Sequence, residues 1–181
     1  TAKVLEKLGA TLVELETMDT KYAIAVYTVV QRSEVSSNLA RMDGIRFGLG
    51  REAFNEENVR RIMLGTYTLQ FGYYDAYYKK AQQVRTLIIE DFKKIFSKVD
   101  LLLAPTMPSV APKIGVTSGQ AMYGEMADVL TEPSAIAGLP AISLPCGFLE
   151  NLPVGMQLIG PMWSEELILN VAEEFEKNTK Y

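Results

Sequence analysis

From about Tyr73 to Val99, the apolar residues Tyr74, Tyr77, Ala81, Val84, Ile88, Phe92, Ile95 and Val99 recur every three or four positions. That is the spacing of a helix with one buried face. The stretch runs straight into Leu101, Leu102 and Leu103 and stops at Pro105. A short continuous apolar run of this kind predicts a strand buried on both faces. A long amphipathic helix that feeds a buried strand is the unit of an α/β fold, and the remaining pattern repeats it.

Ala2, Val4, Leu5 and Leu8 fall at helical spacing before Gly9, which closes the pattern as a C-cap does. Thr11 to Glu16 alternates and predicts a short strand. A second helix is expected from Thr20 or Lys21 to about Arg41. A third starts where Asn55 can cap it and Phe54 can staple onto Val59, with Val59, Ile62 and Met63 as its buried stripe. Met107 to Gly124 is rich in Pro, Gly and Ser and reads as a long loop, a type that is often functional. Glu125 to Ala137 is expected to be helical around Pro133. Ala141–Leu144 and Val154–Ile159 read as strands joined by a turn through Gly147 and Asn151. Ser164 opens a last helix with Leu167, Ile168, Val171 and Phe175 facing inward. The fold class is therefore α/β, with no internal domain boundary in the pattern.

The chain has 181 residues, about one domain on a prior of roughly 150 residues each. Its formal charge of −4 argues against tight nucleic-acid binding by this chain alone. Thr1 to Ala10 carries Lys3, Glu6 and Lys7, so no leader is recognisable there, and no apolar run approaches the roughly 20 residues that span a bilayer. A single cysteine excludes an intramolecular disulfide and favours the cytoplasm. The chain contains no histidine. That removes the Ser-His-Asp triad, the Cys-His pair and the histidine zinc sites, and leaves proton chemistry to Lys, Ser, Tyr, Asp or Glu.

Few of those residues form a site by spacing. Ser36 and Ser37 sit in a helical stretch without a G-x-S-x-G elbow, so packing or hydrogen bonding is expected of them. Cys146 has no base to activate it and reads as a buried thiol. Tyr67, Tyr73, Tyr74, Tyr77 and Tyr78 precede Lys79, Lys80 and Arg85, a mixture that can mark an RNA surface. At helical spacing in an acidic chain, a core face with a solvated edge is the better reading. The carboxylates form no spaced ligand set for a metal. One of Arg60 and Arg61 should turn inward beside Ile62, and Asp128 lies amid Met126, Val129 and Leu130. An inward Arg and an inward Asp pair with each other or with backbone groups more often than they clamp a ligand.

Longer segments carry a resemblance. P-S-A-I-A-G-L-P-A-I-S-L-P-C-G-F (Pro133–Phe148) and L-P-V-G-M-Q-L-I-G (Leu152–Gly160) resemble the amidase signature family. S-E-V-S-S-N-L-A-R-M-D-G-I-R-F-G (Ser33–Gly48), the run from Arg60 to Ile88 and the L-L-A-P-T-M-P strand exit resemble one branch of it, the A subunits of glutamyl-tRNA(Gln) amidotransferases. The likeness implies that residues 1–181 are the C-terminal part of a single amidase-signature domain, an α/β layered fold with a central mixed β-sheet flanked by helices. It implies a Lys-Ser-Ser relay in an upstream region that nothing here matches, so no catalytic residue carries over. The implied reaction releases ammonia from glutamine for ATP-dependent conversion of Glu-tRNA(Gln) to Gln-tRNA(Gln). The implied partners are the amidotransferase's B and C subunits. The resemblance implies no cofactor in this chain and puts ATP with Mg at the B subunit.

The same resemblance assigns substrate contacts. Arg61, in R-R-I-M-L-G, matches the residue that holds glutamine's α-carboxylate. Asp128, ahead of A-G-L-P, matches the one that holds the α-ammonium, and Tyr27 matches a third contact. The link between Gly48 and Arg60 is shorter than the family's. The competing expectations are another amidase-signature hydrolase acting on a small amide, and a non-catalytic binding or assembly module.

Overall fold

The computed structural model describes residues 1–116 and 123–180, apart from the side chain of Glu125. Its elements are α1 (Ala2–Lys7), α2 (Thr20–Leu39), α3 (Glu56–Leu69), α4 (Lys80–Phe96), β1 (Leu102–Pro105), α5 (Tyr123–Ala127), α6 (Glu132–Ala137), β2 (Ala141–Leu149), β3 (Leu152–Ile159) and α7 (Glu165–Lys177). The α/β expectation holds, but among the described residues the sheet is antiparallel rather than mixed. The residues form two compact units, one of 1–24 with 87–181 and one of 25–86.

In the first unit, the sheet order is β1-β3-β2 and both pairings are antiparallel. β3 is the middle strand, and its last four residues are all buried. Leu144, Met156 and Leu158 face a core completed by Leu5 of α1 and by Ile168, Ala172 and Phe175 of α7. Phe175 is fully buried, and a ring so placed stabilises by about 1.5–3 kcal/mol. Cys146, expected to be a buried thiol, packs against this cluster only partly buried. Leu167, expected to face inward, is 40% exposed, one position off the buried stripe of α7.

The β2–β3 turn differs in detail from the expectation. Glu150 and Asn151 make it, with φ of 51° and 63°, the two left-handed residues of the tight hairpin turn. Gly147 (φ 152°) instead lies inside β2 at a register shift, the place of a β-bulge. Ser164 stands at the N-cap of α7, but its hydroxyl donates to the Pro161 carbonyl rather than capping the helix. The predicted helix around Pro133 is two short helices, α5 and α6, broken at Asp128–Thr131. Part of the Met107–Gly124 loop lies outside the described residues.

Thr11–Glu16 is not a strand. Leu12 and Val13 are 42% and 56% exposed. Alternation supplies a face, but a strand also needs a neighbour for its N–H and C=O groups, and no described strand pairs with this segment.

In the second unit, α3 starts as predicted: Asn55 accepts a hydrogen bond from the Asn58 N–H at 2.9 Å. The expected buried stripe is corrected. Val59 and Met63 are 48% and 67% exposed, and with Leu39, Phe54 and Ile62 they line an open groove of about 340 Å³. The helix instead meets α2 through Gly65, its one buried residue. A Cβ built on Gly65 would fall on the Arg32 carbonyl oxygen and come within 2.7 Å of Ser36 Cβ. Hydroxyl pairs flank this approach, Ser33 with Thr68 at 2.7 Å and Ser36 with Thr66 at 2.9 Å. Close backbone approach, not apolar interdigitation, joins these helices. The Ser36 hydroxyl thus has the hydrogen-bonding role that the sequence suggested.

Asp75–Lys79 forms a π-helical turn ahead of α4. A single inserted residue advances the helical phase by about 100°. The stripe holds at Ala81, Ile88, Phe92 and Ile95, all buried, while Tyr74 ahead of the π-helical turn and Tyr77 within it are 44% and 42% exposed.

Candidate functional site

Helix α3 sets the position of Arg61. Glu57, one turn nearer the helix start, accepts from Arg60 Nε and Nη2 at 2.7 and 2.8 Å and also from Arg61 Nε. Hydrogen bonds from Arg60 and then Arg61 pull the Glu57 carboxyl down to about 2, so the fork is ionised at neutral pH. Arg61 is the more enclosed arginine, with 32% side-chain exposure against 48% for Arg60. A guanidinium carries five N–H donors in a planar fork. Glu57 therefore orients Arg61 through its Nε.

The antiparallel contacts between α2 and α3 also place Tyr27. Ser33 lies across from Thr68, Ser36 from Thr66, and Leu39 and Ala40 share the groove with Ile62 and Val59. Arg61 is thus level with the C-terminal end of α2. Tyr27, half-buried, lies about 13 residues back along that helix, a separation of roughly 20 Å at 1.5 Å per residue.

Asp128 belongs to the other unit. It occupies the turn between α5 and α6 and is exposed, not inward as its apolar neighbours suggested. Its backbone carbonyl accepts from the N–H groups of Thr131 and Glu132, both at 2.9 Å, and from Thr131 Oγ1 at 3.1 Å. A polar residue that the sequence reading passed over supports this turn. Gln157 of β3 is buried, and its Nε2 donates to the carbonyls of Leu130 at 2.7 Å and Pro105 at 3.0 Å. Leaving such an amide buried without partners costs about 1–3 kcal/mol. One Gln inside the apolar run G-M-Q-L-I-G was the available signal.

The tyrosines form an exposed wall rather than a core face. The Tyr67 ring lies tilted against those of Tyr73 and Tyr77 at 4.4 and 6.0 Å between centroids, and Tyr74 lies 5.3 Å from Tyr78. The hydrogen bond to Tyr73 is the main cause that holds the Tyr67 phenol protonated up to about 12. Among the described residues, no group of three or more His, Cys, Asp or Glu side chains could hold a metal ion. No helix among them is long and apolar enough to cross a membrane.

Comparison with known proteins places this geometry. The glutamyl-tRNA(Gln) amidotransferase A subunit of Streptococcus thermophilus (strain CNRZ 1066) is 51% identical over 195 residues, which takes in 99% of this chain and 40% of that protein. The corresponding subunit of Streptococcus pneumoniae (strain Hungary19A-6) gives the same figures. The chain thus spans well under half the length of these relatives. The 195 aligned positions exceed the 181 residues here, so at least 14 of them have no counterpart in this chain. The crystal structure of the A subunit from Thermotoga maritima is 41% identical, with a TM-score of 0.76 over 99% of this chain and 37% of that one. A 6-aminohexanoate cyclic dimer hydrolase shares the fold at 21% identity and a TM-score of 0.77. The amidase family itself matches residues 1–169, which hold the sheet, the Arg61 helix and the Asp128 turn. The chain belongs to the amidase family.

Proposed function

We propose that this chain is the C-terminal part of the glutaminase subunit of a glutamyl-tRNA(Gln) amidotransferase, and that it contributes scaffold and substrate contacts rather than the nucleophile. The observation that carries the reading is 51% identity to A subunits along 99% of the chain, against 21% for the amide hydrolase that shares its fold. Arg61 and Asp128 then serve the two ends of the amino-acid head group. A planar guanidinium suits the α-carboxylate, and a carboxylate suits the α-ammonium. An enzyme for neutral amides needs no such pair. Tyr27 is the third contact the resemblance assigned.

The rest of the subunit supplies the Lys-Ser-Ser relay, which needs no histidine. It forms the glutamyl ester and expels ammonia, and water then frees glutamate. The B and C subunits complete the assembly in the cytoplasm, the former handling ATP, Mg and Glu-tRNA(Gln). Purified alone, the chain is expected to release no ammonia from glutamine above the uncatalysed rate, because loss of a nucleophile and its base costs several orders of magnitude. Joined to the remaining portion of the protein, it should regain that activity. Steady ammonia release by the chain alone would overturn the assignment.

A further inference from the structure

We infer that Gln157 is a positioning residue for Asp128, acting through the backbone of the α5–α6 turn. The inference rests on the reading of Asp128 as the ammonium contact. Asp128 is exposed, on a turn between two short helices, where a carboxylate has little side-chain packing to fix it. Two sets of hydrogen bonds hold that turn. From within, the Asp128 carbonyl is closed by Thr131 and Glu132. From below, Gln157 reaches out of the middle strand and takes the carbonyl of Leu130, two residues along the turn. The same amide nitrogen holds the Pro105 carbonyl at the end of β1. Two N–H groups on one nitrogen therefore tie the turn to the strand exit.

Only a side chain with two donors on one atom, at this reach, makes both bonds. Glutamate cannot donate as a carboxylate, methionine has the length without the donors, and asparagine has the donors without the length. Gln157 is buried and touches no substrate in this scheme. Its effect is confined to where Asp128 stands.

The test uses the full-length protein in complex with its partners, with glutamine and ammonium chloride as alternative nitrogen sources. Gln157→Met is expected to raise KM for glutamine about 10-fold, the loss of a hydrogen bond of ordinary strength. Its kcat and its ammonia-driven rate should change less than about twofold. In an Asp128→Asn background, Gln157→Met should add less than about twofold, because the residue it positions is already disabled. Gln157→Asn, which keeps the amide and loses the reach, should fall between Met and wild type and serves if the Met variant folds poorly. An unchanged glutamine KM in both variants overturns the inference, as do losses that multiply in the double variant or fall equally on glutamine and ammonia. Asp128→Asn without effect on glutamine KM sinks the Asp128 reading and this inference together. An effective Asp128→Asn beside an inert Gln157→Met sinks only the inference.

Discussion

In the assembled enzyme, Arg61→Ala or Asp128→Asn is expected to lower kcat/KM for glutamine by roughly 10- to 150-fold, the kinetic equivalent of the 1.5–3 kcal/mol of a hydrogen bond to a charged group. The rate with added ammonia should stay within about twofold of wild type, because free ammonia does not need the glutamine pocket. Arg61 carries a further expectation from its own helix. Glu57 orients the guanidinium, so Arg61→Lys keeps the charge but loses the planar fork, and should recover only part of the loss. If Arg61 and Asp128 merely held the core together, both nitrogen sources and the melting temperature would fall in parallel.

Gly65→Ala in the full-length protein should destabilise it, although in an isolated helix the same change would help. Alanine is about 1 kcal/mol better than glycine in a helix interior. Against that, the added Cβ lands on the Arg32 carbonyl and beside Ser36. A backbone carbonyl cannot rotate away, so α3 must lift off α2, straining the Ser33–Thr68 and Ser36–Thr66 hydroxyl pairs. Overpacking of this kind costs about 1–3 kcal/mol or more. Thermal unfolding decides between the two signs. A rise in melting temperature would show that the helices do not cross at Gly65. A fall accompanied by weaker glutamine use but unchanged ammonia use would tie the crossing to the placement of Arg61.

Much of the helix layout was legible because its signals are local. Asn55 marked the start of α3, and the periodicity of Ile168, Val171 and Phe175 marked α7, since a cap or a stripe needs only the residues of its own segment. The misreadings share a different cause: they concern what lies against an element. The alternation at Thr11–Glu16 could not say whether a neighbouring strand exists. The Val59, Ile62 and Met63 spacing could not say whether anything covers it, while Gly65, a residue with no side chain, made the contact. The π-helical turn at Asp75–Lys79 shifts the phase by one residue, which a count of apolar positions averages away.

The site was less legible than the fold. Arg61 and Asp128 look ordinary by spacing and stood out only through resemblance to a family. What surrounds them is a fork at Glu57 and a turn tied by Gln157, and neither pairing is a sequence motif. Gln157 was the one readable clue, a polar residue where both neighbours and the strand burial demand apolar ones.

The claim that this chain supplies the amino-acid head-group contacts meets its most direct test in three amides measured side by side: glutamine, 4-aminobutanamide, which lacks the α-carboxylate, and 5-amino-5-oxopentanoate, which lacks the α-amine. The wild-type assembly should favour glutamine over both by kcat/KM. Arg61→Ala should lose the preference over 4-aminobutanamide and keep the preference over 5-amino-5-oxopentanoate, and Asp128→Asn should do the reverse. If both variants retain the wild-type ranking, or lose both preferences together, the two residues do not read opposite ends of the substrate and the account fails.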